Sequence, residues 1–160
     1  MIEFRNYNED RVSIILNIMK PSSYIGKEWP KSSFFAIYDG HGGSACADFL
    51  RDNLHQYIIK DPSFPSNPTE AIRKGCEQAE KDFLNQHALS KNQEIIDRSG
   101  SCAIFALIIE DICYMGNIGD SRGIMSTNNG KKIICLTNDH KPNDEKETKR
   151  IIENGGKVYQ

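Results

Sequence analysis

Residues 34–43 read FFAIYDGHGG, an apolar run that ends at an acid, a histidine and three glycines. The run predicts a buried strand over 33–39 that holds Asp39 and His41 at a tight turn. Glycines at 40, 42 and 43 allow the backbone to turn sharply and to approach a ligand closely. A carboxylate held at the end of a strand suits metal ligation or general acid chemistry. Taken alone, the stretch is equally consistent with an ordinary strand-to-helix turn in which Asp39 caps the next helix.

The rest of the chain restricts the class of protein. Its 160 residues, 38% apolar and 26% charged, indicate a single soluble globular domain. The formal net charge of -2 gives no basic surface for nucleic acid. The longest apolar runs, such as 103–109, are too short to cross a bilayer, so no membrane association is predicted. The N-terminus lacks the pattern of a secretory signal, which favours a cytoplasmic or nuclear protein.

The five cysteines are widely spaced and include no Cys-x-x-Cys pair. This pattern predicts neither a disulfide framework nor a zinc site. All five are predicted to be reduced residues in or near the core. They are Cys46, Cys76, Cys102, Cys113 and Cys135.

Hydrophobic periodicity and turn residues predict an α+β fold. Strands come in adjacent groups with two helices between them, which favours helices layered on antiparallel sheet over a doubly wound fold. The predicted elements are strands over 11–19 and 33–39, a helix between Gly43 and Asp61, a helix capped by Asn67, a polar loop over 86–98, strands over 101–109, 112–118, 123–126 and 132–136, and a helix over 144–153.

Four further segments carry polar or charged residues that packing does not explain. They are Arg5-x-x-x-Glu9-Asp10, SGS at 99–101, GDSRG at 119–123 and TNDHKP at 137–142. With DGHGG at 39–43 they occur in the order and approximate spacing of the metal-dependent protein phosphatases, the PPM or type 2C family, which the chain resembles from Arg5 to Val158. The resemblance implies a four-layer sandwich of two antiparallel β-sheets flanked by helices. It also implies hydrolysis of phosphoserine and phosphothreonine in proteins with two Mg²⁺ or Mn²⁺ ions.

The resemblance implies a metal site on several of these residues. Asp39 would bridge two ions, and the Gly40 carbonyl and the Glu9 carboxylate would bind one of them. Asp10 would orient water or ligands without contacting the metal. Asp120 would bind a weaker third ion. Hard oxygen ligands suit Mg²⁺ or Mn²⁺ better than zinc.

The same resemblance implies two roles in handling the phosphate. The Arg5 guanidinium would bind two phosphate oxygens. His41 would protonate the leaving serine or threonine oxygen, because an imidazole titrates near neutral pH.

Simpler interpretations of several of these residues stay open. Glu9 and Asp10 would ordinarily be a solvated pair of charges, and Arg5 an ordinary surface residue. Asp120 could equally belong to a turn. Asp139 and His140 are expected to make loop hydrogen bonds rather than to act in chemistry.

Two aspartate motifs that the family carries further along its chain are not found in residues 1–160. We therefore expect a single partial phosphatase domain over 1–160, lacking the C-terminal part of the fold and monomeric. In isolation it is expected to bind metal weakly and to have little activity, with sheet edges unpaired. The alternative function is a non-catalytic pseudophosphatase that binds phosphorylated partners without hydrolysing them.

Overall fold

The computed structural model describes residues 7–26, 28–89 and 94–159. The strands are β1 Arg11–Ile15, β2 Ser32–Tyr38, β3 Gly40–His41, β4 Gly100–Ser101, β5 Ala103–Ile109, β6 Ile112–Ile118, β7 Ile124–Thr127 and β8 Lys132–Cys135. At the centre is a four-stranded antiparallel sheet in the order β1-β2-β5-β6, and two short strand pairs, β3-β4 and β7-β8, accompany it. The helices are α1 Ala45–Lys60, α2 Pro68–Phe83 and α3 Glu145–Glu153. The predicted α+β class with antiparallel sheets and helices is confirmed.

One face of the central sheet forms the core with α1 and α2. Along β2, Phe34, Ala36 and Tyr38 are buried, and they belong to the same apolar cluster as Leu54 and Ile58 of α1. Alternation along a strand places these β2 residues on one face of the sheet. Burying three such side chains fixes the position of the strand that leads to Asp39.

The opposite face of the sheet is apolar and largely exposed. Val12, Ile14 and Ile37 keep 57%, 70% and 53% of their surface accessible. Between the first two, Ser13 points to the helix side and is buried. Its hydroxyl lies 3.1 Å from the Arg51 carbonyl oxygen of α1, to which it donates a hydrogen bond.

The helices begin where the sequence predicts. The Asn67 side chain accepts a hydrogen bond from the Glu70 N–H at the start of α2, and Pro68 takes the first helical position. Asp144 caps α3 by accepting from the amides of Lys146 and Glu147. Within the described residues, none of the helices combines the length and the apolar character needed to cross a bilayer.

Two boundaries differ from the predictions by more than two residues, and the predicted strand over 101–109 is divided at Cys102 into β4 and β5. The first strand ends at Ile15 rather than at Met19, because residues 16 and 17 bend and the Ile18 N–H then donates to the Ser32 carbonyl one residue out of the β1–β2 register. Part of the predicted polar loop over 86–98 is ordered as a single π-helical turn, Leu84–Ala88, which extends α2. An isolated bridge then pairs Leu89 with Ile95.

The prediction that all five cysteines lie in or near the core is wrong for two of them. All five are free thiols, but Cys113 and Cys135 are exposed. Cys113 alternates with Ile112 and Tyr114 along β6, so it faces away from the helices, onto the uncovered side of the sheet. Apolar neighbours in sequence do not reveal which face of a sheet is covered.

The thiols of Cys46 and Cys76 are expected to react slowly. Burial raises the pKa of each to about 11, so both stay protonated at pH 8. N-ethylmaleimide at pH 8 should therefore modify Cys113 and Cys135 more than about tenfold faster, as measured by peptide mass spectrometry. Equal rates for the four cysteines in the folded protein would contradict the packing of α1 on α2.

The same pKa shifts give a pH dependence of stability. A thiol whose pKa is raised by folding stabilises the native state below its unfolded pKa of about 8.5. That contribution is lost as the pH rises toward 11. The free energy of unfolding, measured by urea titration, should therefore decrease less between about pH 8.5 and 11 in Cys76→Ala than in the unmodified protein. Cys113→Ala, at an exposed position, is the control.

Candidate functional site

The end of β2 and the segment before β1 lie side by side. The pairing of β1 with β2 sets Arg11 opposite Tyr38, and the same register continued by two residues brings Glu9 opposite Gly40. A Cβ atom added to Gly40 would overlap the Glu9 carbonyl oxygen, so this close approach requires glycine. The structure thus brings Glu9 and Gly40 together, as predicted for ligands of one ion.

Glu9 is held in a defined position. It is 9% exposed, and its Oε1 accepts a hydrogen bond of 2.6 Å from the Gly43 N–H in the turn before α1. A buried carboxylate is stable only when hydrogen-bonded or paired. Within the described residues the other carboxylate oxygen has no hydrogen-bond partner, so it can accept a further ligand.

Asp39 lies at the exposed end of β2. Its side chain has no hydrogen-bond or ion-pair partner in the part of the chain that the structure describes, and its carbonyl oxygen accepts from the Cys102 N–H at 2.9 Å. The backbone is therefore fixed while the carboxylate is open to solvent. An ordinary capping role is not observed, because among the described residues the Asp39 carboxylate accepts no hydrogen bond from the first amides of α1, and the Cys46 N–H there donates to Ser99.

His41 packs against the neighbouring strand. β3 pairs with β4, which sets Gly40 opposite Ser101 and His41 opposite Gly100. A Cβ atom added to Gly100 would overlap Nε2 of the His41 ring. The imidazole therefore lies directly over Gly100, at the same end of the sheet as Glu9, Asp39 and Gly40.

Asp120 is linked to this end of the sheet through one cysteine. The Cys102 thiol lies 3.5 Å from Asp120 Oδ1, while the Cys102 amide binds the Asp39 carbonyl. Burial raises the pKa of the Cys102 thiol, and the nearby carboxylates of Asp120 and Asp39 act in the same direction. Asp120 is exposed and follows Gly119, whose φ is +100°, so it also occupies a turn.

The loop at 137–142 supports the turn that carries Asp120. The His140 N–H donates to the Gly119 carbonyl oxygen at 2.9 Å. Asp139 pairs with Arg122 at 2.8 Å and with Lys141 at 3.3 Å. The Arg122 guanidinium holds the pKa of the Asp139 carboxyl below its usual range. These contacts agree with the expectation that Asp139 and His140 make loop hydrogen bonds.

Two further predicted site residues are Arg5 and Asp10. Arg5 lies outside the described residues. Asp10 is exposed, and its amide donates to the Asn8 side chain at 2.7 Å, which orders the backbone of the segment but leaves the Asp10 carboxylate in solvent.

Sequence reasoning assigned no role to two residues that organise the site, Arg11 and Ser99. Arg11 bonds the backbone on both sides of Glu9 and also Asp48 of α1. Ser99 accepts from the Cys46 N–H at 3.0 Å and donates to Asp97 at 2.5 Å, which fixes the start of α1 against the segment before β4. The Ser99 hydrogen bonds lower the pKa of the Asp97 carboxyl. A basic residue directly after Glu9-Asp10 was the available signal for Arg11, but its partner is 37 residues away.

The donor atoms suit a hard cation, but they are few. Glu9, Asp39 and the Gly40 carbonyl supply oxygen, and Mg²⁺ is commonly bound by one or two carboxylates together with several waters. Within residues 7–26, 28–89 and 94–159, no three His, Cys, Asp or Glu side chains are grouped so as to hold a metal ion. The described residues thus fit part of a site for Mg²⁺ or Mn²⁺.

Comparison with known proteins identifies the family. The family profile described as protein phosphatase 2C matches residues 1–160. A probable protein phosphatase 2C of Caenorhabditis elegans is 40% identical over 130 residues, covering 81% of this chain and 35% of that protein. Probable protein phosphatase 2C 52 of rice, Oryza sativa subsp. japonica, is 36% identical over 126 residues, covering 79% of this chain and 24% of its own length. The chain belongs to the protein phosphatase 2C family.

Solved structures share the fold. A C. elegans sex determining protein superposes with a TM-score of 0.74 and 26% identity, covering 98% of this chain and 37% of that one. The serine-threonine phosphatase 2C of Toxoplasma gondii gives a TM-score of 0.64 at 21% identity, covering 93% and 55%. The chain spans between about a quarter and about a third of the length of the curated relatives described above.

The contact between Gly100 and His41 can be tested in the metal-free protein. Gly100→Ala should displace the imidazole, because the new methyl group would occupy the space of Nε2. The ring-proton NMR signals of His41 should shift. Ser101→Ala, on the same strand and bonded through its hydroxyl, among the described residues, only to the adjacent Cys102 carbonyl, should leave them in place. Unchanged His41 signals in Gly100→Ala would contradict this packing.

Proposed function

We propose that the protein carrying this chain is a protein serine/threonine phosphatase that uses Mg²⁺ or Mn²⁺ to hydrolyse phosphoserine and phosphothreonine. The observation that carries the proposal is the gathering of Glu9, Asp39, Gly40 and His41 at one end of the sheet, in a chain of the protein phosphatase 2C family. Phosphorylated proteins of the cytoplasm or nucleus are the proposed substrates.

The metal-binding role falls to the carboxylates. Asp39 would bridge two ions, because its carboxylate is solvent-accessible and its backbone is held by Cys102. Glu9 would offer the oxygen that Gly43 leaves free, and Gly40 its carbonyl. When bound, the divalent ions supply positive charge to the phosphoryl group and lower the pKa of the attacking water. Asp120 is the proposed ligand of a weaker third ion.

The remaining roles concern the phosphate and the leaving group. His41 is exposed at the mouth of the turn and can give a proton to the departing serine or threonine oxygen. Gly100 keeps the imidazole in one place against β4. Arg5 is proposed to bind the phosphate, since a guanidinium matches two of its oxygens.

Replacing Asp39 tests the metal-dependent mechanism. In the protein that carries this chain, Mn²⁺-dependent release of phosphate from a phosphothreonine peptide should fall to background in Asp39→Asn, because the amide lacks the charge to bridge two cations. Asp111→Asn, at the exposed turn between β5 and β6, should retain full activity. Activity that persists in Asp39→Asn, or in excess chelator, would refute the mechanism. Phosphopeptide binding without phosphate release in the unmodified protein would indicate a pseudophosphatase instead.

Replacing His41 tests proton donation. His41→Gln should lower kcat for a phosphothreonine peptide by about 100-fold or more, since general acid catalysis contributes on that scale. An aryl phosphate with a good leaving group needs little protonation, so its hydrolysis should fall much less. An equal loss for both substrates would mean that His41 does not act as the general acid.

A further inference from the structure

Arg11 connects the segment that carries Glu9 to the start of α1. Its Nη1 donates to the Asn8 carbonyl at 3.0 Å and to the Asp10 carbonyl at 2.8 Å, the two carbonyl groups that flank Glu9. Its Nε and Nη2 donate to the two oxygens of Asp48 at 2.7 and 3.2 Å. One guanidinium therefore holds the backbone on both sides of Glu9 and an acid in the first turn of α1.

The second connection between the same two elements is the Glu9 carboxylate itself. It accepts from the Gly43 N–H, and Gly43 lies two residues before the start of α1. The segment 8–11 is thus attached to the beginning of α1 at two points, one through Arg11 and one through Glu9. If the Arg11 contacts were lost, the Glu9–Gly43 hydrogen bond would have to orient the Glu9 carboxylate by itself.

We propose that Arg11 is a positioning residue for Glu9, which sets the affinity of the site for a divalent cation by fixing the backbone that carries this ligand. The inference rests on the proposed function, in which Glu9 binds the metal. Residues that orient a metal ligand commonly change metal affinity by about 10- to 100-fold when replaced, although they do not touch the ion. The Arg11 side chain is 24% exposed and Asp48 is 35% exposed, so the pair is partly shielded from solvent.

Arg51 provides a matched control. It also donates to Asp48, at 2.8 Å, and to Asp52, but no hydrogen bond joins it to residues 8–11 in the described structure. Arg51→Gln removes an arginine from the same carboxylate and leaves the Glu9 backbone as it is. Comparing Arg11→Gln with Arg51→Gln separates the loss of an ion pair from the loss of the Glu9 support.

The first measurement needs no metal. Hydrogen exchange of the Gly43 amide in the metal-free protein reports the Glu9–Gly43 bond. We expect faster exchange in Arg11→Gln and no change in Arg51→Gln. Unchanged Gly43 protection in Arg11→Gln would overturn the proposal, because Glu9 would then be oriented without Arg11.

The second measurement is the affinity for Mn²⁺ alone, followed by electron paramagnetic resonance of the free ion. Arg11→Gln should weaken binding by about tenfold or more, and Arg51→Gln should leave it within twofold. If Arg11→Gln lowers the free energy of unfolding but keeps the Mn²⁺ affinity of the unmodified protein, Arg11 has a structural role and the proposal fails.

Glu9→Gln separates failure of this inference from failure of the proposed function. If Glu9→Gln weakens Mn²⁺ binding but Arg11→Gln does not, the metal site stands and the positioning role of Arg11 is wrong. If Mn²⁺ binding survives Glu9→Gln and Asp39→Asn alike, the assigned metal site is wrong, and the role proposed for Arg11 falls with it.

Discussion

The structure depends on the burial of one face of β2 beneath α1 and α2. Phe34 and Tyr38 are fully buried there, and β2 has a partner strand on each side. A strand held in this way cannot shift along its axis without removing large side chains from the core. The chain therefore leaves the sheet at a fixed point after Tyr38. The positions of Asp39, Gly40 and His41 are set by the packing of β2 side chains that lie up to about 15 Å away along the strand.

The sequence allowed the elements of the fold to be predicted well, because each had a local signal. Asn67-Pro68 and Asp144 mark helix starts through side chains that bond amides two or three residues away. Asn128, Asn129 and Gly130 all have positive φ in the loop between β7 and β8, a backbone region that asparagine and glycine adopt most readily. The ends of elements were harder to predict, since the β-branched pattern continues to Ile18 whereas β1 ends at Ile15, where residues 16 and 17 bend.

The residues proposed for the site were named from the sequence, whereas the contacts that hold them were not. Asp39, Gly40 and His41 are contiguous, and family motifs pointed to Glu9. The contacts that hold them are long-range: Gly43 to Glu9, Gly100 to His41, and Asp48 to Arg11. Such pairs follow from the approach of separate elements, which hydrophobic periodicity does not encode. The exposure of Cys113 has the same origin, because it depends on which face of the sheet the helices cover.

The uncovered face of the sheet affects what fixes the register of β1 beside β2. In a strand with one apolar and one polar face, a shift of one residue exposes the apolar side, which makes the shift costly. Val12 and Ile14 are already exposed, so this penalty is weak for β1. Its alignment depends instead on a polar side chain in the core: Ser13 is buried and bonds the Arg51 carbonyl, and a shift would bring Val12 or Ile14 to that carbonyl oxygen. The buried Ser13 hydroxyl, together with the Arg11–Asp48 ion pair on the same face of β1, thereby fixes the register of the strand that brings Glu9 to the turn.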